Sequence, residues 1–301
     1  HIFASITSSV ILVLSGLLTD ALADSPKQND LILGLRYFAF ALVLLDVGLQ
    51  ACAKEEPHPK DAKVRLREVF TLPFHYRKFL RCMLMMFAWN FIANLNNGLW
   101  SYHLLNHMKF SYTLMNTISM LYTVVLLATN GLWQKILRRY SWIKTFGIAN
   151  LLWFPTEIGF FFLTRERTWM YLPLCMAQHF LSVGLNLAYA NVLYMNLPEE
   201  NSTTHIAFSS IGCNLFAFFG LTLGTKISSI GGDIPSMLLG MPVYSVQYTT
   251  LMRAATMLAM GLTLTLGWKR FTREQDIREI EAAEAFRRRL HERRRQKHEI
   301  Q

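Results

Sequence analysis

Long apolar blocks separated by short polar gaps constrain this chain more than any other feature of its sequence. A helix of roughly 20 apolar residues crosses the hydrocarbon core of a bilayer. Blocks of that length recur along the chain, and charged residues make up only 17% of its 301 residues. About a quarter of the residues in a soluble domain are charged. The sequence therefore predicts an all-α membrane protein and not an ordinary soluble domain.

We expect about eight membrane helices. They cover Ile2–Leu22, Leu31–Ala53, Phe79–Leu105, Tyr112–Trp133, Ile143–Leu163, Thr168–Asn196, His205–Ile230 and Tyr248–Lys269. The segment Ile234–Val246 contains two prolines. We expect it to form a loop or a short helix at the membrane interface.

The basic residues predict the orientation of the chain. They are concentrated in the gaps Lys54–Lys78 and Gln134–Lys144 and in the tail. Lys and Arg mark the cytoplasmic side of a membrane protein. We therefore expect a multi-pass protein of the cell (inner) membrane, with the central loop (54–78) and the C-terminus in the cytoplasm.

The tail, residues 271–301, is rich in Arg, Glu and Ala. We expect a solvated helix that touches anionic lipid headgroups. Nucleic acid is not an expected partner, because Phe286 is the only aromatic residue among the charges after position 271. The net charge of +10 then reflects membrane topology.

The central loop is expected to divide two domains. Pro57 and Pro59 prevent a helix at its start, and Val64–Phe70 is expected to form a short amphipathic helix. The segment 1–53 then holds two helices and 79–270 holds the rest. Ser15–Thr19 weakly resembles Phe219–Leu223, so the first two helices resemble the last two. On this interpretation 79–270 is a complete half, and about four helices of its partner half would lie before His1.

Polar side chains recur at helical spacing inside three of the apolar blocks. An unpartnered amide in lipid would cost several kcal/mol, so we expect these faces to share one hydrated interior that forms a substrate path. The alternative is that the amides tie helices together. The faces are Asn90, Asn94, Asn97 and Ser101; Gln178, Ser182, Asn186 and Tyr189; and Asn116, Ser119, Thr123 and Asn130.

Three stretches resemble the major facilitator superfamily. They are Trp89–Asn94 with Phe110–Thr113, Gly131–Tyr140, and Leu197–Asn201 with Ala207. The resemblance implies a helical bundle of two six-helix halves with substrate bound near the midplane. It also implies that this chain holds the last two helices of the first half, truncated, and the whole second half.

The stretch Gly131–Tyr140 resembles the cytoplasmic loop motif of that superfamily. Gly131, Arg138 and Arg139 match it and are expected to form the cytoplasmic gate. Gln134 or Lys135 stands where the superfamily usually has Asp, so the Asp-to-Arg link of that gate is not expected here.

Two acids lie deep in the predicted helices, Asp46 and Glu157. Buried acids in membrane spans are functional candidates, and either could carry a coupled proton. The alternative is a structural acid paired with Arg36 or with a helix terminus. His103 and His107 have the i, i+4 spacing of metal ligands, but no acid completes the set, so we expect no metal and no cofactor.

Together these features predict a secondary active transporter that moves a small-molecule polar solute across the lipid bilayer by alternating access. A monomer is expected. One alternative is a membrane-embedded enzyme, an acyltransferase or hydrolase, that uses His179. Another is a transport-inactive sensor or scaffold. The candidate substrate-binding residues are Asn90, Asn94, Asn97, Trp100, Asn116, Thr123, Gln178, Asn186 and Tyr189.

Overall fold

The computed structural model describes residues 2–23, 25–52, 66–199, 201–232, 234–238, 240–272 and 277. Within these residues the chain is a bundle of α-helices with one small β-hairpin. The helices are α1 Ile2–Ala21, α2 Lys27–Ala51, α3 Leu66–Thr71, α4 Arg77–Asn94, α5 Leu99–Asn106, α6 Tyr112–Arg139, α7 Trp142–Phe161, α8 Tyr171–Met195, α9 Ser202–Gly231 and α10 Ser245–Gly267. Short 3₁₀ helices cover Leu72–His75, Arg165–Met170 and Trp268–Arg270.

Four of the described helices are long and apolar enough to cross a membrane. They occupy Lys27–Leu49, Tyr112–Arg139, Ser202–Gly231 and Ser245–Arg270, and Ile6–Ala21 is a shorter apolar helix. The prediction of an all-α membrane protein is therefore confirmed. The larger number of membrane spans, and the division into two halves, stay predictions.

The predicted continuous helix Phe79–Leu105 is wrong. The chain forms α4 and α5 instead, and Gly98, between them, has φ of +79°. Only glycine adopts such a backbone conformation readily. The amides just before Gly98 favour the break, because asparagine side chains compete with the helical backbone for hydrogen bonds. The side chain of Asn96 also accepts a hydrogen bond from Thr249, which ties the break to α10.

The expectation for Ile234–Val246 is also wrong. This segment contains an antiparallel hairpin of β1 Ser236–Leu238 and β2 Met241–Val243, with Ser236 opposite Val243. Gly240 has φ of +74° at the turn. Pro235 and Pro242 disfavour a helix here, and an edge strand tolerates a proline because its amide need not donate.

Asp20 and Gln247 form hydrogen bonds with backbone groups at the ends of other helices. The Asp20 carboxylate, at the end of α1, accepts hydrogen bonds from the backbone N–H groups of Tyr112 (2.9 Å) and Thr113 (2.6 Å). These are N-terminal donors of α6 that lack a partner within the helix. Gln247 of α10 donates to the carbonyl oxygens of Phe161 (2.8 Å), the last residue of α7, and of Leu163 (3.0 Å), just after it.

Glycines allow the helices to approach closely. A Cβ atom at Gly220 or Gly224 of α9 would overlap a backbone carbonyl oxygen of the α4 segment, that of Phe91 or Leu95. A Cβ atom at Gly147 of α7 would likewise overlap Thr265 of α10. These contacts hold α4 against α9 and α7 against α10, around a core whose most buried side chains include Phe79, Met83, Phe146, Val183 and Met257.

The helix α3 lies in the C-terminal part of the predicted amphipathic segment Val64–Phe70, so a short helix before the first long helix of the 79–270 segment is confirmed from Leu66 onward. The start of the central loop, 53–65, lies outside the described residues. So does the predicted tail helix, apart from positions 271, 272 and 277.

Candidate functional site

A polar cavity lies where the break between α4 and α5 meets α6, α7, α8 and α10. Its volume is about 200 Å³. It is lined by Asn96, Trp100, Ile118, Ser119, Glu157, Phe160, Tyr171, Cys175, Gln178, His179, Thr250 and Arg253. The break therefore has a structural consequence: it brings an amide and an indole to a space that four further helices surround.

Glu157 is the buried acid of this cavity. Its residue is 1% exposed, so its charge needs partners. One carboxylate oxygen, Oε1, accepts hydrogen bonds from Trp153 Nε1 (2.9 Å) and Gln178 Nε2 (3.0 Å). The same oxygen lies 3.2 Å from Arg253 Nη2. Three donors from three helices thus converge on one atom, which fixes the carboxylate in place.

Arg253 supplies the positive charge. Its side chain is 17% exposed, and it sits in the N-terminal half of α10. Its Nε atom is buried and has no hydrogen-bond partner among the described residues. An unsatisfied buried N–H is costly. The guanidinium thus has one donor without a partner among the described residues, and the ion pair with Glu157 balances its charge.

The asparagines of the first polar face form hydrogen bonds with other residues of the bundle and do not line the cavity. Asn90 donates to the Tyr189 hydroxyl (2.6 Å) and to the backbone oxygen of Met86 (2.8 Å). Asn94 donates to the backbone oxygen of Asn90, and Asn97, now beyond the helix break, donates to the Asn94 side chain (3.1 Å). The predicted single stripe therefore ends at Asn94.

The α6 face is divided between two neighbours. Asn116 donates to the backbone oxygen of Leu12 (2.8 Å) and Thr123 bonds Ser9 (2.8 Å), so both residues tie α6 to α1. Ser119 lines the cavity. On α8, Asn186 donates to the Tyr122 hydroxyl (3.1 Å). Of the predicted substrate-binding residues, Trp100 and Gln178 line the cavity. One interior shared by all three polar faces stays a prediction.

Comparison with known proteins agrees with a membrane carrier. The model of the TLC ATP/ADP transporter family matches residues 31–187, just over half of the chain. The chain belongs to the TLC ATP/ADP transporter family. It is therefore a membrane transporter by family. No curated protein and no solved structure matches it.

The part that matches the TLC family contains much of the cavity. It includes Trp100, Ser119, Glu157 and Gln178, whereas Arg253 lies beyond it. Both predicted acids also fall within the match, but they differ in exposure. Asp46 lies on the exposed surface of α2, whereas Glu157 is buried.

The predicted cytoplasmic loop motif of this TLC-family chain is helical. Gly131, Arg138 and Arg139 all belong to α6, which ends at Arg139. Gly131 and Arg138 are exposed, and the Arg139 guanidinium lies 5.6 Å from the centre of the Tyr140 ring. The predicted loop from Gln134 is wrong because the helix continues; its role as a gate stays a prediction.

The sequence analysis did not identify Arg253 as a site residue. The expected partners of a buried acid, Arg36 or a helix terminus, are wrong for Glu157. An available signal was the single arginine inside the apolar run of α10, because an intramembrane charge usually has a counter-ion on another span. His179 also lines the cavity, and its Nε2 lies 2.9 Å from the backbone oxygen of Ile118.

Proposed function

We propose that this protein is a secondary active transporter that carries a small polar solute through the cavity beside Glu157 and Arg253 by alternating access. The observation that carries the proposal is the convergence of amide, hydroxyl and charged groups from four helices, and from the break between α4 and α5, on one space in a membrane bundle. Polar groups at such depth are costly and mark substrate and ion pathways.

The charge and size of the cavity favour a small solute of low net charge. The family name mentions ATP and ADP, and nucleotides carry several phosphate charges that proteins bind with clustered Arg or Lys. Among the described lining residues the cation is Arg253, and Glu157 offsets it. A volume of about 200 Å³ is also below the usual range for drug-sized ligands.

Glu157 is the proposed proton carrier. A proton on its carboxylate would remove the negative charge that holds Arg253 Nη2 at 3.2 Å. The guanidinium would then be free to bond a solute, so proton and solute occupancy would be linked. Asp46 is the weaker candidate, because it lies on an exposed part of α2 and does not line the cavity.

The proposed architecture is that of the major facilitator superfamily, with 79–270 as one complete half and the preceding helices as part of the other. On this proposal the protein acts as a monomer in the cell membrane and its central loop and tail face the cytoplasm. The break between α4 and α5 supports alternating access, since interrupted helices are typical of transporter binding sites.

The enzyme alternative has less support. His179 would be its catalytic base, but its Nε2 is within hydrogen-bond distance of the Ile118 backbone oxygen. Ser182 Oγ donates to the backbone oxygen of His179 (3.0 Å), so neither group is arranged as a nucleophile and base. A sensor or scaffold would bind the same solute without moving it.

The test is uptake into proteoliposomes from a radiolabelled panel of one amino acid, one monosaccharide, one nucleoside and ATP. We expect uptake of at least one of the small solutes, stimulated by an inward proton gradient, and no uptake of ATP. Glu157→Gln is expected to lose the stimulation and to keep solute exchange, because exchange requires no net proton release. Asp46→Asn is the control and should behave as the wild type.

Other results would refute parts of this proposal separately. Uptake of ATP alone would show that the transported solute is a nucleotide and not a small solute of low net charge. Equal gradient stimulation in wild type and Glu157→Gln would exclude Glu157 as the coupling group. Solute binding without uptake would favour the sensor.

A further inference from the structure

An open apolar groove runs between α4 and α10, separate from the polar cavity. Its volume is about 490 Å³ and its walls include Leu84, Met85, Ala88, Ala259 and Met260, with Arg81 at one end. The groove and the cavity share no lining residue. We propose that the groove binds one acyl chain of an anionic phospholipid, whose phosphate lies on Arg81.

The length of the groove fits one leaflet. On α4 it extends from Arg81 to Ile92, which at 1.5 Å per residue is about 16 Å. The hydrocarbon core of a bilayer is about 30 Å thick. The groove therefore spans about half of the core, which is the depth that the tail of one lipid reaches.

The position of Arg81 fits a headgroup. Its Nη1 donates to the backbone oxygen of Arg270 (3.2 Å), just after α10. Trp268 lies beside this point, with Lys269 Nζ 5.9 Å from its ring centre. Tryptophan and basic residues gather at the level of the lipid headgroups. The charged end of the groove is thus at the interface and its apolar end is in the hydrocarbon core.

The chemistry of Arg81 specifies an anionic lipid. A guanidinium has five N–H donors in a planar fork that matches the oxygens of a phosphate. Arg270 and Lys269 are exposed nearby and add positive charge. A zwitterionic headgroup would bring its own cation to this site, so an anionic headgroup gains more from the same three side chains.

Native mass spectrometry of the purified full-length protein titrated with phosphatidylglycerol, or with phosphatidylcholine of the same chains, tests this assignment. We expect tight retention of one phosphatidylglycerol and weaker retention of phosphatidylcholine. Arg81→Gln should weaken phosphatidylglycerol binding about fivefold, the effect of one basic residue near an anionic surface. Arg138→Gln is the matched control, an exposed arginine on the same predicted side, and should bind as the wild type.

Two variants test the apolar wall. Ala88→Trp on α4 and Ala259→Trp on α10 fill the groove from opposite sides and should each abolish the tight site, while a monodisperse elution profile confirms that the protein is folded. Equal binding by wild type, Arg81→Gln and the folded tryptophan variant would overturn the proposal. So would equal retention of the two lipids, or a dimer that the tryptophan variants dissociate.

Discussion

Arg253→Gln is expected to lower the free energy of unfolding by about 3 kcal/mol, at the lower end of the range for a broken buried ion pair. The reason is the carboxylate of Glu157, which is 1% exposed and would lose the cation that balances it. The change is measured as the loss in thermal stability of the purified protein in detergent. The matched control is Lys226→Gln, an exposed lysine on α9, which should change stability by less than about 0.5 kcal/mol.

The double variant Glu157→Gln/Arg253→Gln separates the pair from the rest of the site. Because two neutral amides leave no uncompensated charge, it should recover at least half of the stability that Arg253→Gln loses. If Arg253→Gln is no less stable than Lys226→Gln, the contact at 3.2 Å does not stabilise the protein and the charge balance of the cavity is wrong.

Gly224→Val is expected to prevent correct packing of α9 on α4. A Cβ atom at this position would overlap the carbonyl oxygen of Leu95, and that oxygen belongs to the backbone at the end of α4, so it cannot move aside cheaply. Overpacking costs about 1–3 kcal/mol where side chains can adjust; here the cost should exceed about 3 kcal/mol. The measurement is the yield of monodisperse protein and its unfolding temperature.

The control for this variant is Gly131→Val, the same change at a helical glycine of α6 whose Cβ would meet no atom within 4 Å. It should give nearly the wild-type yield. Similar yields from both variants would contradict the close approach of α4 and α9, and with it the position of the helix break that lines the cavity.

The helices could be predicted from the sequence because the length of an apolar block is a local property. The start of α6 at Tyr112 was predicted to the residue, and α7 and α10 begin within about three residues of the predicted positions. The sequence analysis does not predict the break before Gly98 or the hairpin at Ser236–Val243. Single glycines and prolines determine both features, and they lie within runs that are otherwise continuously hydrophobic.

The site was predicted only in part, because helical spacing gives the face of a residue but not its neighbour. Trp100, Glu157 and Gln178 were candidates and do meet in the cavity. Asn116 and Thr123 have the same spacing and polarity, yet they contact α1 instead. Which polar face meets which helix depends on packing between distant segments, and one sequence does not encode that locally.

The most direct test of the central claim is solvent access to the cavity. The background is a variant in which Cys52, Cys82, Cys175 and Cys213 are replaced by serine. In this background, Ser119→Cys places a thiol on the cavity wall. Ala255→Cys is the control and places a thiol on an exposed face of α10, two residues from Arg253. Each is treated in membranes with a membrane-impermeant maleimide. The transporter model predicts that Ser119→Cys is labelled, that the transported solute protects it, and that Ala255→Cys stays unlabelled. Labelling of Ser119→Cys that no solute prevents, or no labelling at all, would contradict a solute path through this cavity.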